Sequence, residues 1–413
     1  MNLFEKMLDP GRIEDFLQFR GGRQIQDLRV AKMQAYLSSD DYKTDVKRLW
    51  AGDYNLSLPV KKLIPKGYTN RMRTVYHFTE NEMTLLRMMS FVMHDYDALC
   101  PKEVYSFKKG ISARNFISRV STDKRLRNMF VAKTDIAEYG NSIDPDILIG
   151  CLQRELAQQE PEAVAFFTWL FSRGKFIYEG KETEGNAAAL LGIPIHNFFT
   201  NLYLVEADRF LIPKCVAYAR YSDDIIMYCK TRQEAENNLK DLHEIIRRLG
   251  LRHHEDPHKT NVFSPGEPYD YLGISFAGAQ IDIAETSLNK LKRKMRIRAK
   301  RIGLDKNKTH ISPQDKARHL IRLNGGTFFG RPGSSDLSWA QWAFPVITKT
   351  DGLHELDLYN QHCIRYVLTG KWSDAQYRIS YEELRALGYV SLVRTYYAYK
   401  EENNLAKRKE INE

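Results

Sequence analysis

The chain has 413 residues, and 62 lysines and arginines against 52 aspartates and glutamates leave a formal net charge of +10. At about 150 residues per domain this length makes two or three domains, and 43% hydrophobic with 28% charged residues excludes a collagen-like or wholly disordered chain. The longest apolar run, AVAFFTWLF at 163–171, falls well short of the roughly 20 residues of a membrane-spanning helix, and the N-terminus has no apolar signal core. Five cysteines (Cys100, Cys151, Cys215, Cys229, Cys363) without a C-x-x-C spacing point to reduced thiols in a cytoplasmic protein, not to a disulfide frame or a zinc knuckle. The basic excess points to a polyanionic partner.

In chain order, residues 1–125 combine amphipathic helices with a basic turn, KKLIPKGYTNRMRTVYHF, broken by Pro65, Gly67 and Asn70. From 126 to 285, β-rich runs (NMFVAKTDI, VAYARYSDDIIMYC, YDYLGISF) alternate with helical ones. The pattern predicts an α+β domain with helices on one side of a sheet. One helix is expected over 232–249, with Leu239, Leu242, Ile245, Ile246 and Leu249 on one face and Gly250 as its stop. From 286 the chain reads mostly helical, interrupted by FFGRPGSSD and ending in a polar tail from Tyr399 that is expected to fray. Within it, SLNKLKRKMRIRAKRI carries Leu288, Leu291, Met295 and Ile302 near one stripe, and eight lysines and arginines without an acid on the other faces. Such a helix suits the phosphates of a nucleic-acid duplex.

Chemistry concentrates at Tyr218–Cys229, where two β-prone runs flank Ser222, Asp223 and Asp224 and predict a hairpin with adjacent carboxylates at its tip. A bare Y-x-D-D is most often a solvated turn; the apolar flanks set this one apart. Carboxylates beside buried strands repel one another and lose hydration, a cost that a divalent cation offsets. Asp135 closes another apolar strand and by itself reads more readily as a cap or turn residue than as a metal ligand. With the pair, it makes three carboxylates at two strand ends, enough for two Mg²⁺ ions about 4 Å apart that activate a 3′ hydroxyl and stabilise a leaving pyrophosphate.

These residues resemble those of the reverse transcriptases, in particular the bacterial branch of group II intron, retron and defence-associated enzymes, over residues 60–285. Asp135 is similar to the motif A aspartate, GIPIHNFFTNLYL (192–204) to motif B, and YSDD (221–224) to the motif C turn. LRHHEDPHKTNVF resembles motif D through Lys259 and Thr260, and YLGISF, with Tyr271, Leu272 and Gly273, resembles the primer-grip hairpin. IPKGYTNRMRTVYHF resembles the fingers segment, with Lys66 and Arg73 in the places of its triphosphate-binding residues, and YSFKKGIS resembles Y-x-F-R-x-G-x-S. The sequence also departs from the family. Leu190 and Leu191 stand where Pro-Gln precedes the motif B glycine, and His196 stands for a serine. Gly140 takes the place of the aromatic that blocks a ribose 2′-OH, with Tyr139 one residue earlier, so sugar discrimination is expected to weaken or to pass to Tyr139.

The resemblance implies a right-hand polymerase: fingers over 1–125, a ferredoxin-like palm over 126–285 with interleaved finger elements, and a helical thumb with a polar tail over 286–413. It implies Asp135, Asp223 and Asp224 as catalytic residues, with the Ile136 carbonyl a further ligand of two Mg²⁺ ions, for which Mn²⁺ substitutes. Lys66, Arg73, Tyr139, Gly140, Gly192 and Lys259 would meet the nucleotide, and Tyr271, Leu272 and Gly273 the primer. Lys290, Arg293, Lys294, Arg298 and Arg301 would follow the nucleic acid. The expected activity is RNA-directed DNA synthesis from dNTPs, in antiphage defence with a cognate noncoding RNA, a partner protein or further copies of the chain. The alternatives are an untemplated or protein-primed nucleotidyltransferase, an RNA-templated RNA polymerase, and a non-catalytic RNA-binding scaffold. No retron-specific signature and no HNH-like or maturase extension is found, which favours a stand-alone enzyme.

Overall fold

Short-range hydrogen bonds set several element boundaries. Thr79 and Thr231 each accept from the backbone N–H of a glutamate three residues on, Glu82 and Glu234, whose carboxylates accept in return from the cap backbone. These capping boxes open the helices Glu80–Met93 and Arg232–Arg248. Gly250, at φ +71°, ends the second in the left-handed conformation that a glycine adopts without strain. Of the expected apolar face, Leu242, Ile245, Ile246 and Leu249 are buried, and Leu239 is half-buried.

The computed structural model describes residues 1–21, 28–65, 72–185, 190–257, 259–304, 311–330, 338–373 and 378–412, the last nine by backbone alone. The chain forms two compact units, Met1–Phe116 with Asn128–Pro265, and Ile117–Arg127 with Gly266–Glu413. The strands are β1 (Val60–Pro65), β2 (Met72–His77), β3 (Phe130–Asp135), β4 (Lys175–Tyr178), β5 (Lys181–Glu184), β6 (Ala217–Tyr221), β7 (Asp224–Cys229) and β8 (Asn261–Phe263) in the first unit. The second unit has β9 (Tyr269–Tyr271), β10 (Ile274–Ala277) and β11 (Gln280–Ile283).

In the first unit, one sheet runs β6-β7-β3-β8 with antiparallel neighbours throughout. Its strands in chain order are β3, β6, β7 and β8, with helices between β3 and β6 and between β7 and β8, which is the ferredoxin-like arrangement. The β6–β7 hairpin has a two-residue tip, Ser222 and Asp223, and the register sets Asp224 opposite both Tyr221 and Asp135. A second sheet runs β2-β1-β4-β5. The basic turn joining β1 to β2, with Lys66, lies outside the described residues. Beneath both sheets, one buried cluster joins Phe4, Tyr42 and Met88 of the N-terminal helices to Ile225 and Met227 of β7.

In the second unit, β11-β10-β9 form a meander whose β9–β10 turn places Leu272 and Gly273 at φ +50° and +82°. Two positive φ angles are what a two-residue hairpin turn matching strand twist requires. The helices Glu285–Gly303, Pro313–Phe328 and Leu392–Asn412 each pack against Asp351–Thr369. All five cysteines are free thiols. Among the described residues, no helix is long and apolar enough to cross a membrane.

Candidate active site

The expected carboxylates meet through register. Asp135 ends β3 beside Asp224 at the start of β7, and the Ile136 N–H donates to the Asp223 carbonyl at 3.2 Å. The segment after the Arg232–Arg248 helix runs alongside: the Ala137 N–H donates to the Arg252 carbonyl and the His254 N–H to the Asp135 carbonyl, both at 2.8 Å. Thr134 and Thr260 share a hydroxyl hydrogen bond of 2.9 Å. This places Lys259 so that its ammonium ion-pairs with the Asp135 carboxylate. Asp135, Asp223 and Lys259 line an open cleft of about 510 Å³, together with Ile136, Arg73 and His196.

The hairpin tip is held from below by Ser106 and Asn201, which lie in the YSFKKGIS and GIPIHNFFTNLYL segments, and by Arg220 and Asp208, to which the sequence reading gives no role. Ser222 sits at φ +59°, a left-handed conformation costly for a residue with a Cβ. Its N–H donates to Ser106 Oγ at 2.9 Å, and that hydroxyl donates to Asn201 Oδ1 at 2.8 Å. The Ser222 carbonyl accepts from Arg220 at 3.3 Å. Arg220, fully buried, makes a bidentate pair with the equally buried Asp208 at 2.8 and 2.6 Å and donates to the Asn201 carbonyl at 2.9 Å. Tyr218 donates to the same aspartate at 2.7 Å. Burial disfavours the guanidinium charge, but Asp208 outweighs it and raises the Arg220 pKa. A signal was present in the sequence: an arginine between Ala219 and Tyr221 in an otherwise apolar strand must find a buried acid.

The Asp223 carboxylate is electrostatically frustrated. Burial first, then the charges of Asp135 and Asp224, push the Asp223 carboxyl up to about 6 from an ordinary value of 3.8. An all-oxygen donor set in which neighbouring carboxylates raise the affinity of Asp223 for positive charge fits a hard divalent cation. Among the described residues, no three histidine, cysteine, aspartate or glutamate side chains already converge as a closed metal cage. The Lys259 ammonium supplies the positive charge at Asp135.

The remaining expected residues divide. Arg73, on β2, is exposed at the cleft, and Gly140 lines it. A Cβ at Gly140 would stand 3.2 Å from both His196 Nε2 and Leu191 Cδ1, so the His196 ring occupies the space a larger residue 140 would need. Tyr139 borders the cleft but is only 3% exposed, and its hydroxyl donates to the Thr200 carbonyl, which makes the ring part of the core wall. Gly192, at φ +106°, is crowded by the chain itself: a Cβ there would lie 3.0 Å from Val75 Cβ and 3.2 Å from the Tyr76 carbonyl. The close approach expected of a nucleotide is made by β2, whose Tyr76 N–H donates to the Leu191 carbonyl at 2.7 Å.

In the second unit, Tyr271 is buried and Gly273 abuts Ser287, beside which no side chain would fit. Lys290, Arg293 and Arg301 are exposed on the Glu285–Gly303 helix, and Lys294 is half-buried. Arg298 corrects the expected nucleic-acid face. Its guanidinium donates to the Leu323 carbonyl, Asn324 Oδ1 and Thr327 Oγ1 at 2.8–3.1 Å, tying its helix to Pro313–Phe328.

No curated protein matches the chain. Among solved structures it is similar to apo telomerase from Candida tropicalis truncated from the C-terminal domain, at 12% identity and a TM-score of 0.42, over 58% of this chain and 59% of that one. The chain thus spans about three fifths of that structure's length. Residues 64–276, just over half of the chain, match the family described as reverse transcriptase (RNA-dependent DNA polymerase). That span contains the β3 and β7 carboxylates, the strained tip and Lys259, within the mixed helix-and-sheet architecture of a right-hand polymerase. The chain belongs to the reverse transcriptase family.

Proposed function

We propose that the protein is an RNA-directed DNA polymerase in which Asp135, Asp223 and Asp224 are the catalytic carboxylates. The observation that carries this reading is the Asp135–Asp224 register with Asp223 at the tip of the same hairpin, Asp135 and Asp223 lining a cleft that also holds Lys259 and Arg73. Asp135, Asp223, Asp224 and the Ile136 carbonyl would hold two Mg²⁺ ions, or Mn²⁺ in their place. Bound there, divalent cations supply activation of a 3′ hydroxyl and charge stabilisation of the leaving pyrophosphate. Arg73, with Lys66, binds the triphosphate through charge-assisted hydrogen bonds. Lys259 is poised beside Asp135 to give a proton or positive charge to the departing pyrophosphate. Gly140 and His196 shape the nucleotide wall, and with Tyr139 in the core we expect weak exclusion of a 2′-hydroxyl. Gly192 serves this wall indirectly, by letting its segment pack on β2.

In this reading residues 1–125 act as fingers, 126–285 as palm and 286–413 as thumb with a polar tail. Tyr271, Leu272 and Gly273 hold the primer, and Lys290, Arg293, Lys294 and Arg301 follow the duplex phosphates. The resemblance to stand-alone bacterial enzymes supports a cytoplasmic role in antiphage defence, with a cognate noncoding RNA or a partner protein.

The test is incorporation of each labelled dNTP and rNTP by the purified protein with Mg²⁺, with and without RNase, beside the Asp223→Ala/Asp224→Ala double variant. Incorporation of dNTPs that is lost with RNase and in the variant is the expected result. RNase-resistant synthesis means an untemplated or protein-primed enzyme, and incorporation of rNTPs in preference to dNTPs means an RNA polymerase. Equal activity of the double variant would remove the assignment of the carboxylates.

A further inference from the structure

The fold brings two of the five thiols together at the end of the β6–β7 hairpin away from its carboxylates. Ala217 is the residue paired with Tyr228, yet the Tyr228 carbonyl accepts from the Val216 N–H at 2.8 Å. Two residues of one strand thus face one of the other, as in a β-bulge, and Cys215 comes level with Cys229. Asn238, buried on the helix Arg232–Arg248, spans both sulfurs. Its Nδ2 donates to Cys229 Sγ at 3.4 Å, to Cys215 Sγ at 3.7 Å and to the Lys214 carbonyl at 3.3 Å. Cys229 is fully buried, whereas Cys215 is half-buried and adjoins Val216, which is 36% exposed.

The hydrogen bond between the sulfurs makes the pair unequal. It holds the Cys215 proton more tightly and, with the Asn238 amide, lowers the Cys229 pKa against the effect of burial. The Lys214 ammonium favours a thiolate at Cys215 in turn. Thiolate character, a second thiol in contact and an opening to solvent at one of the two are the requirements of reversible thiol oxidation. In reducing compartments such disulfides are transient and serve redox sensing. At roughly 3.3 Å per strand residue, Cys229 lies about 17 Å along β7 from Asp224, so the sulfur chemistry proceeds apart from the carboxylates.

We propose that Cys215 and Cys229 are an oxidation site at which hydrogen peroxide forms a reversible disulfide, stapling β6 to β7 at the end of the hairpin opposite Asp223. The Cys215 sulfur, the one near solvent, attacks a peroxide oxygen while its proton passes to the Cys229 thiolate. The O–O bond breaks, Cys215 becomes a sulfenic acid, and the departing hydroxide takes the proton back from Cys229 as water. The Cys229 thiolate then attacks the Cys215 sulfur and displaces hydroxide, which leaves as a second water after gaining the proton first lost by the pair. Each sulfur gives up one electron, and the peroxide takes both. A dithiol reductant reverses the step by thiol–disulfide exchange.

The test exposes the full-length protein, reduced and then freed of reductant, to a small excess of hydrogen peroxide at neutral pH. Remaining thiols are alkylated, and the protein is analysed by intact mass and by peptide mapping. The expected result is a mass lower by the two thiol hydrogens and a linked pair of peptides carrying Cys215 and Cys229, both reversed by dithiothreitol. Oxidation should also raise the melting temperature by several degrees, because a staple that suits the folded register restricts only the unfolded chain. Both readouts use the unaltered protein and do not depend on the folding of a variant. Cys215→Ser should abolish the mass change, and Cys229→Ser should leave a sulfenic acid on Cys215 that dimedone traps. Free Cys215 and Cys229 after peroxide would overturn the proposal, as would a disulfide through Cys100, Cys151 or Cys363 in its place. A melting temperature lowered by oxidation would do the same, since the bond would then not fit the folded strands. Loss of the polymerase assignment would change none of these outcomes, because the step uses neither nucleotide nor metal.

Discussion

Ser222 concentrates the local cost of the site: a residue with a Cβ at φ +59°, one position before Asp223. Strain of this kind persists only where the surroundings over-determine it, and here Ser106 and Arg220 grip the Ser222 N–H and carbonyl. Ser106→Ala removes the acceptor of that N–H and the donor to Asn201, so a loss of about 1–3 kcal/mol is expected in urea unfolding. Incorporation should fall with it, because the tip that carries Asp223 is released; an unchanged urea midpoint would show that the clamp is dispensable. Gly192→Ala acts on the other wall. Its φ of +106° is closed to alanine, and the new methyl would meet Val75 at 3.0 Å. The expected outcome is a melting temperature several degrees lower, from a cost of about 1–2 kcal/mol or more.

Helix ends carry the pH dependence at the scale of elements. Glu82 accepts from Ser57 N and Oγ at 2.5 and 2.6 Å and from Thr79 N and Oγ1 at 3.0 and 2.6 Å, joining the segment before β1 to the start of the Glu80–Met93 helix. Half-burial alone would raise its pKa, but the hydrogen bonds from Ser57 and Thr79 outweigh that and lower it. A depressed folded pKa contributes stability that is fully present above the ordinary glutamate range and is lost as pH falls through the folded value. Glu82→Gln should therefore be less stable than the parent at neutral pH and should converge with it in acid, read as melting temperature against pH. Parallel curves for the two proteins would exclude Glu82 as the source. The same scale explains Arg298: helix periodicity puts it among the cations, but three acceptors on Pro313–Phe328 take its donors.

For the whole molecule, the net charge of +10 matters through its distribution. Lys290, Arg293 and Arg301 remain exposed on one helix, so replacing all three with glutamine should lower the salt slope of duplex binding by roughly 0.9 for each phosphate no longer neutralised, with stability unchanged. Arg298→Gln should do the opposite, destabilising the protein and leaving the slope intact. A triple variant with the parent slope would remove this helix from the duplex path. How the fold serves the site is also a matter of topology: the β6-β7-β3-β8 strand order brings Asp135, Asp224 and the Lys259 segment to one end of one sheet.

By itself the sequence determined the local pieces: the Asp223–Asp224 hairpin, the strand ending in Asp135, the Arg232–Arg248 helix with its glycine stop, and the basic helix after residue 286. Each is written in residues a few positions apart, through alternation, helical periodicity or turn chemistry, and can be read without knowing what lies opposite. Only the tertiary structure decided partnership. Ser106 reaches the hairpin tip from 116 residues away and Lys259 reaches Asp135 from 124. Arg298 was taken up by a neighbouring helix, Tyr139 became core, and Gly192 made room for β2. Which side chain faces which across such separations depends on strand order, register and burial, properties of the assembled chain that no short stretch of it contains.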